Sequence, residues 1–289
     1  MPIQLHQNIN LFLLLIVGSF VAHIYLGWVD IVAILTFTFV VEHIFLYFNK
    51  CRDFYFSYAG FSTAIGVIVL MYSPSLWIYF VVIALGLFQK HFITFNGKQF
   101  FNPSNFALIM ALLFFYKDAH IITGQFGDEL WLALVVSLLA MVILVRVNRW
   151  IIPLVFVVAY LFFQYFLVVL YDPVVIFKDI YHRFYSVTFI LFIYFMLTDP
   201  PVTPSKWYWQ IAFASLVALV ATLLDRFYGF RVQHLFMVVF FFSLFVIFLK
   251  VENKEFMPLL KVSAIILFFV VAVLTFIELQ PPYFFEMNG

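Results

Sequence analysis

Apolar residues fill long stretches of this chain, and short clusters of charges, prolines and turn residues separate them. Splitting the chain at those clusters gives about eleven apolar segments. They lie at 11–28, 31–48, 57–72, 75–95, 100–116, 130–146, 150–171, 183–198, 207–224, 232–250 and 257–279. In lipid only helices and closed barrels satisfy every backbone group, and these unbroken runs lack the alternation of barrel strands. The pattern predicts an all-α, polytopic helical membrane protein with about 10–11 transmembrane helices.

The segment lengths also predict how the helices are organised. Several segments are shorter than the ~20 residues that a straight span prefers, so we expect some helices to be short, broken or re-entrant. No stretch has the composition of a soluble domain, and residues 1–289 are expected to form a single integral membrane domain. About eleven spans divide into five plus five plus one. This division predicts inverted five-helix halves at 11–116 and 130–250, with an extra last span at 257–279.

Composition supports the membrane assignment. The 289 residues are 66% hydrophobic and 10% charged, with a mean hydropathy of +1.12, and a soluble domain of this size cannot bury that much apolar surface. The formal net charge of +1 gives no reason to expect a nucleic-acid partner. Cys51 is the only cysteine, so the sequence predicts no disulfide framework, no iron–sulfur cluster and no four-ligand thiolate zinc site.

The lysines and arginines predict an orientation. Ten of the 15 fall on the side of the amino terminus: Lys50, Arg52, Lys90, Lys98, Arg146, Arg149, Lys206, Lys250, Lys254 and Lys261. The opposite side receives Lys117, Lys178, Arg183, Arg226 and Arg231. Because positive loops favour the cytoplasm, we expect the amino terminus there. The first segment lacks a basic n-region and a cleavage pattern, which predicts a retained span rather than a signal peptide.

A polar cluster, "FNPSN" at 101–105, stands directly before a short apolar run. Asn102 and Pro103 fit the N-cap and the first position of a helix, and Ser104 and Asn105 add polar groups to its first turn. One interpretation is a helix capped at the membrane interface. The other is a half-helix whose free N–H groups and positive dipole end face an anionic or carbonyl-bearing ligand inside the protein.

A second interruption is "FMLTDPPVTP" at 195–204, where Asp199 ends an apolar run and prolines stop the helix. Thr198 and Thr203 lie close by in the sequence. The carboxylate could coordinate a cation or accept hydrogen bonds from a bound ring, or it could be a solvated loop residue.

Small residues form a third interruption, "GFSTAIG" at 60–66. Ser62 and Thr63 stand between two glycines. Such residues mark close helix contacts, and they also permit close approach of a planar ligand.

Ionisable residues inside apolar segments are functional candidates by default. Glu42 and His43 form such a pair in the second segment, although either side chain could reach the membrane surface. His23 and His43 lie at different depths, which argues against a bis-histidine haem. Asp225 and Arg226 are expected to form a turn with a local ion pair.

Together these segments resemble one family. "KHFITFNGKQ" followed by "FNPSNFAL", the earlier "STAIG" and the later "FMLTDPPVTP" are similar to signature segments of the RnfD/NqrB family. Its members are the membrane D subunit of Rnf-type electron transport complexes and the B subunit of sodium-translocating NADH:quinone reductase. "GQFGDELW" (124–131) and "RFYGF" (226–230) fall in the expected order, so the resemblance extends over most of the chain.

The resemblance implies a fold of two inverted five-helix halves, similar to urea channels, in the inner membrane of a bacterial cell. It implies flavin and electron transfer coupled to Na⁺ or H⁺ movement. Carried over by position, a set of six residues would line the central region: Ser62, Thr63, Asn102, Asn105, Asp199 and Thr203. No catalytic residue and no metal ligand is predicted.

One departure changes the expected cofactor. In the family, covalent FMN is attached to the last Thr of an S-G-A-T motif, and this chain has "YDPVVIFKDIYHRFYSVT" at 171–188 instead. Covalent FMN is therefore not expected. The expected cofactor is non-covalent FMN or riboflavin, or a quinone. Haem and iron–sulfur clusters are not expected.

The leading hypothesis is a membrane subunit of an electron-transport system, with a flavin or quinone between its halves and other redox subunits as partners in the lipid bilayer. At most it would be a subunit of an ion-translocating oxidoreductase. The alternatives are a small-solute transporter or channel of the same fold, and a membrane anchor for a redox or biosynthetic partner.

Overall fold

The computed structural model describes residues 3–21, 24–49, 57–122, 130–172, 174–251 and 253–280. The α-helices in these ranges are α1 (Ile3–Val21), α2 (Trp28–Asn49), α3 (Ala59–Leu70), α4 (Leu76–Phe92), α5 (Pro103–Phe114), α6 (Leu130–Arg146), α7 (Ile151–Gln164), α8 (Phe177–His182), α9 (Val187–Leu191), α10 (Trp207–Tyr228), α11 (Gln233–Val246) and α12 (Asn253–Leu279). The strands are β1 (Met71–Tyr72), β2 (Thr94–Phe95), β3 (Lys98–Gln99) and β4 (His120–Ile121). Helices α7 and α9 continue as π-helical turns at Tyr165–Val169 and Phe192–Met196, and 3₁₀ turns occupy Arg183–Tyr185, Pro200–Val202 and Ile247–Leu249.

The predicted fold class is confirmed, because the chain is an all-α helical membrane protein. Within the described ranges, four helical segments are long and apolar enough to cross a membrane by length and composition: Trp28–Asn49, Ile151–Val169, Trp207–Tyr228 and Glu255–Leu279. Their outward faces carry large apolar side chains, such as Val158, which is 70% exposed, and Phe268, which is 78% exposed. Surface of this kind needs lipid as its solvent. Shorter apolar helices of 10–17 residues complete the bundle.

Some predicted segment bounds are wrong. The first segment was placed at 11–28, but α1 spans Ile3–Val21 and Trp28 already begins α2. Asn8 in the amino-terminal part of α1 is tolerated because its Nδ2 donates to Tyr58 O at 2.8 Å. The segment at 183–198 is also interrupted, because a 3₁₀ turn and a π-helical turn flank the five α-helical residues of α9.

The order of helix contacts repeats along the chain. In the first half α1 packs on α3, α2 on α4 and α4 on α5. In the second half α6 packs on α9, α7 on α10 and α10 on α11. Helix α1 contacts α6 and α5 contacts α11, so equivalent helices join the halves. The inverted five-helix halves at 11–116 and 130–250, with an added last span at 257–279, stay a prediction.

Two half-length helices lie inside the first half. Helices α3 and α5 each contain 12 residues, so each is about 18 Å long. A two-residue strand follows each of them, and β1 pairs antiparallel with β4 at Met71↔Ile121 and Tyr72↔His120. Every residue from Pro103 to Leu112 is buried. The amino end of α5 is therefore buried within the protein.

Candidate functional site

The three polar interruptions identified in the sequence surround one cavity of about 200 Å³. Four of the six predicted site residues line it: Ser62, Thr63, Asn102 and Asp199. The remaining wall comes from α1, the end of α4, β3, α5 and the π-helical turn after α9, and includes Asn8, Lys90, Gln99, Ser104, Phe195 and Met196. Asn105 and Thr203 do not line the cavity. They lie behind its wall and hold lining residues in place.

Asn102 connects the two halves at this cavity. It is the N-cap of α5, and its Oδ1 accepts a hydrogen bond from the Asn105 N–H at 3.0 Å, as predicted from the sequence. Its Nδ2 donates to Asp199 Oδ2 at 2.8 Å. Asn105 is fully buried and donates from Nδ2 to Phe236 O on α11 at 3.1 Å. The start of α5 is thus held from both sides.

Glycines allow the helices around the cavity to approach closely. A Cβ at Gly86 of α4 would lie 2.6 Å from the carbonyl oxygen of Pro103. A Cβ at Gly66 of α3 would lie 2.8 Å from Ser104 Oγ. Ser104 in turn donates a long hydrogen bond, 3.4 Å, to the carbonyl of Ser62. The small residues of "GFSTAIG" therefore form the close helix contact and part of the cavity wall at once.

Asp199 is held by a buried scaffold on the second half. Thr203 Oγ1 donates to the backbone carbonyl of Asp199 at 2.9 Å and accepts from Arg149 Nε at 3.0 Å. Lys250 Nζ donates to the carbonyls of Pro200 and Pro201 at 2.7 and 2.6 Å. These bonds fix the proline turn after α9, so the carboxylate keeps its position at the cavity wall.

The charge of Asp199 is only partly compensated. Burial raises the pKa of its carboxyl from 3.8 to about 6, although the hydrogen bond from Asn102 and the charges of Lys250, Lys90 and Arg149 lower it. Burial likewise lowers the pKa of Lys250 from 10.5 to about 8, and the Arg149 charge adds to this effect while Asp199 opposes it. A carboxylic acid that titrates near neutral pH can exchange a proton with a ligand in the cavity.

Lys90 is the functional candidate that sequence reasoning missed. It lines the cavity, and its Nζ lies 2.7 Å from Oε1 of Glu42, which is 1% exposed. Glu42 Oε2 lies 3.0 Å from His91 Nε2, and Ser57 Oγ donates to Oε1 at 3.0 Å. Glu42 was singled out in the sequence, and the structure shows that it is paired within the protein instead of reaching the membrane surface.

Another polar cluster lies in the second half, and it corrects the predicted turn at Asp225 and Arg226. Helix α10 runs on to Tyr228, and Asp225 is buried. Its Oδ1 lies 2.7 Å from His234 Nδ1, and its Oδ2 accepts from Gln164 Nε2 at 2.7 Å. Asp225 is therefore paired with His234 on α11, and its Oδ2 also lies 3.7 Å from Arg183 Nη1. Arg226 instead donates to the carbonyl of Leu167.

Two smaller cavities border the main one. An apolar cavity of about 150 Å³ lies between α1 and α6, and Phe195 borders both it and the main cavity. A small cavity of about 40 Å³ shares Asp199 and Phe195 with the main cavity and is also lined by Tyr194 and Thr198. Phe195 therefore contributes to the lining of all three cavities.

Some sequence features lie outside the described residues. They are His23, Lys50, Cys51, Arg52 and the segment 124–129 of "GQFGDELW". Both ring nitrogens of His43 make hydrogen bonds, Nδ1 with Phe39 O at 2.7 Å and Nε2 with the Ser57 N–H at 3.3 Å. In the described part of the chain no group of three or more His, Cys, Asp and Glu residues is arranged to hold a metal ion.

No protein-family model matches the chain, and no curated protein matches it significantly. The resemblance to the RnfD/NqrB family therefore stays a prediction based on the quoted motifs.

Proposed function

We propose that the protein is a membrane subunit of an electron-transfer system, and that its central cavity binds a redox-active ring between the two halves. One observation carries the proposal: segments from three distant parts of the sequence meet at a polar cavity, and Asn102 joins them to Asp199. The resemblance to the RnfD/NqrB family implies that the same segments line the central region of the protein. The redox chemistry would belong to the bound ring, and the protein would supply binding, orientation and charge.

The cavity offers the groups that a quinone head group needs. Lys90 provides an ammonium donor at the wall, and Asn102 keeps one amide hydrogen beyond the one it gives to Asp199. A ring carbonyl would accept from such donors, while Asp199 would accept from a ring hydroxyl. These donors and this acceptor lie on opposite halves, so the ring would bridge them.

Size favours a single ring as the occupant. Pockets that enclose drug-sized ligands measure roughly 300–1,000 Å³, and this cavity measures about 200 Å³. A quinone head group has one ring and a flavin has three. A quinone is therefore the favoured ligand, and non-covalent FMN or riboflavin is the alternative, which would need side chains such as Met196 to move.

The test uses the protein purified in detergent. Its absorbance spectrum and the chromatography of its acid and solvent extracts identify any flavin or quinone that co-purifies. Isothermal titration with a methyl-substituted dimethoxybenzoquinone then measures binding of the ring alone. We expect saturable binding that Ser62→Phe abolishes, because that side chain fills the cavity. A protein without extractable flavin or quinone that also fails to bind the ring would refute the proposal.

Passage of a small polar solute is the second candidate, and the small cavity beyond Asp199 favours it. Asp199 lines both cavities, so its carboxylate could contact a polar solute in either of them. Solute flux into proteoliposomes, measured with no redox partner present, tests this candidate. Flux that is lost in Asp199→Asn would support it, and an impermeable vesicle would reject it.

The wider setting belongs to the proposal as well. The resemblance supports redox subunits as partners and the inner membrane of a bacterial cell as the location. The distribution of Lys and Arg supports a cytoplasmic amino terminus.

A further inference from the structure

The apolar cavity between α1 and α6 differs from the central cavity in its chemistry. It is lined almost entirely by aliphatic and aromatic side chains: Asn10, Leu13, Leu14, Val17, Trp131, Leu132, Val135, Val136, Leu139 and Phe195. The one amide in this set, Asn10, donates to the carbonyl of Leu139 at 3.5 Å. We call this cavity the α1–α6 groove. Its lining can accommodate hydrocarbon and offers almost nothing to a polar group.

The groove opens toward the bilayer. Leu13 on α1 is 49% exposed, and Val135 and Leu139 on α6 are 45% and 43% exposed. In a helical membrane protein such exposed apolar side chains face lipid. A hydrocarbon chain can therefore move from the bilayer into the groove without crossing a polar surface.

The groove and the central cavity lie on different faces of α1. Asn8 and Leu11 line the central cavity, whereas Leu13, Leu14 and Val17 line the groove. At 100° per residue these two sets point to different sides of the helix. Beside α1, Phe195 borders both spaces. Phe195 lies on the π-helical turn that leads to Asp199, and it is the one side chain that the two linings share.

We propose that the α1–α6 groove holds the hydrocarbon tail of a lipid-tailed quinone whose head group lies in the central cavity. This inference rests on the proposed function and narrows its ligand from any redox ring to one that carries an apolar tail. A polar cavity and an apolar groove that meet at one side chain match the two parts of such an amphiphile. A free water-soluble flavin has no hydrocarbon tail that could occupy the groove.

The physical role of the groove is access. A tail in the bilayer is already surrounded by hydrocarbon, so transfer into the groove adds little binding free energy by itself. Without a groove, however, a head group in the central cavity would force its tail through packed protein. The groove lets the tail stay in apolar surroundings while the ring reaches Lys90 and Asp199.

A pair of neighbouring substitutions on α6 tests the inference. Leu139 lines the groove, while its neighbour Leu138 is 70% exposed and lies outside it. Leu139→Trp should fill the groove, and Leu138→Trp adds the same indole to the lipid-facing surface. The ligands are a dimethoxybenzoquinone with a decyl tail and the same ring with only a methyl group.

The expected result is selective. Leu139→Trp should weaken binding of the decyl-tailed ring by at least about tenfold and leave the methyl-substituted ring unchanged, whereas Leu138→Trp should change neither. If the methyl-substituted ring binds and is lost in Ser62→Phe, but Leu139→Trp does not affect the tailed ring, the groove inference is wrong and the proposed function stands. If neither ring binds the wild-type protein, the groove inference is wrong, and the proposed function is wrong as well when the extracts contain no flavin or quinone.

Photo-crosslinking gives a second readout on the unmodified protein, which covers the case of a variant that does not fold. A decyl-tailed ring with a diazirine at the end of its tail should label peptides that contain Leu13–Val17 or Trp131–Leu139. An excess of the unlabelled tailed quinone should suppress this labelling. Labelling confined to α7 or α12 would overturn the inference.

Discussion

The side-chain amide of Asn102 donates a hydrogen bond to Asp199 Oδ2 at 2.8 Å across 97 positions of sequence. The same amide accepts the Asn105 N–H and so begins α5. One side chain therefore caps a half-helix of the first half and orients the carboxylate of the second half. An amide can do both because its oxygen accepts while its nitrogen donates.

This double role predicts the effect of Asn102→Ala. The variant loses the N-cap, which costs about 1 kcal/mol, and leaves a buried carboxylate without its donor, which costs a further ~1–3 kcal/mol. We expect a lower melting temperature in detergent and loss of ring binding. Ser75→Ala is the control, because Ser75 occupies the N-cap of α4 without a side-chain capping bond. Equal melting temperatures for the two variants would contradict the role of Asn102.

Asp199 predicts a pH dependence of stability. Its pKa is about 6 in the folded protein against 3.8 as the ordinary value, so the folded state binds the proton more tightly than the unfolded chain. Below pH ~4 both states are protonated and the group contributes nothing. Between pH ~4 and ~6 the stability falls as pH rises, by up to about 3 kcal/mol, and above pH ~6 the loss is constant.

Asp199→Asn removes this titration and keeps an oxygen that can accept from Asn102. The melting temperature of the variant should exceed that of the wild type by an amount that grows from pH 4 to pH 6 and then levels off. Thermal unfolding at half-unit pH steps measures it. A difference that is constant over this range, or that shrinks as pH rises, would show that Asp199 is not a raised-pKa carboxyl.

The sequence was sufficient to predict the helical membrane class and the local chemistry at "FNPSN". Unbroken apolar runs form helices in lipid, because a helix satisfies its own backbone groups. An Asn-Pro pair before such a run commonly occupies the N-cap and the first position of a helix. The N-cap at Asn102 and the short length of α5 follow from these local rules. The start of α1 at Ile3 could not be predicted from local rules, because Asn8 donates a hydrogen bond to the carbonyl of Tyr58, which is 50 positions away.

Lys90 shows why part of the site could not be predicted. It lies in the quoted motif "KHFITFNGKQ", but a basic residue at the end of an apolar run usually marks the membrane surface. Its buried pairing depends on α2 packing against α4, a contact that no local pattern encodes. The pairing of Asp225 with His234 depends in the same way on the contact between α10 and α11, so the adjacent Arg226 was the wrong partner.

The Glu42 pair predicts a large effect of removing one charge. Glu42→Gln leaves Lys90 beside the cavity without its buried carboxylate, and breaking a buried pair in this way costs about 3–5 kcal/mol. Glu255→Gln is the matched control, since Glu255 lies 3.6 Å from the exposed Lys98, and a surface pair contributes at most about 1 kcal/mol. Chemical or thermal unfolding in detergent compares the two. A Glu42 variant as stable as the Glu255 variant would mean that the charge of Lys90 is compensated by another group.

The glycine contacts predict that Gly66→Ala and Gly86→Ala both lower stability, but that a second substitution can restore stability only in Gly66→Ala. Gly86→Ala places a Cβ 2.6 Å from a backbone oxygen, that of Pro103, whereas Gly66→Ala meets the side-chain oxygen of Ser104 at 2.8 Å. Each should destabilise the protein by about 1–3 kcal/mol and distort the cavity. Adding Ser104→Ala should recover part of the loss in Gly66→Ala, because the nearest atom is removed. It should recover nothing in Gly86→Ala, where the obstacle is main chain. Melting temperatures and ring affinities of the four variants measure the pattern, and equal rescue in both backgrounds would show that the close approach of α4 to α5 is not fixed at Pro103.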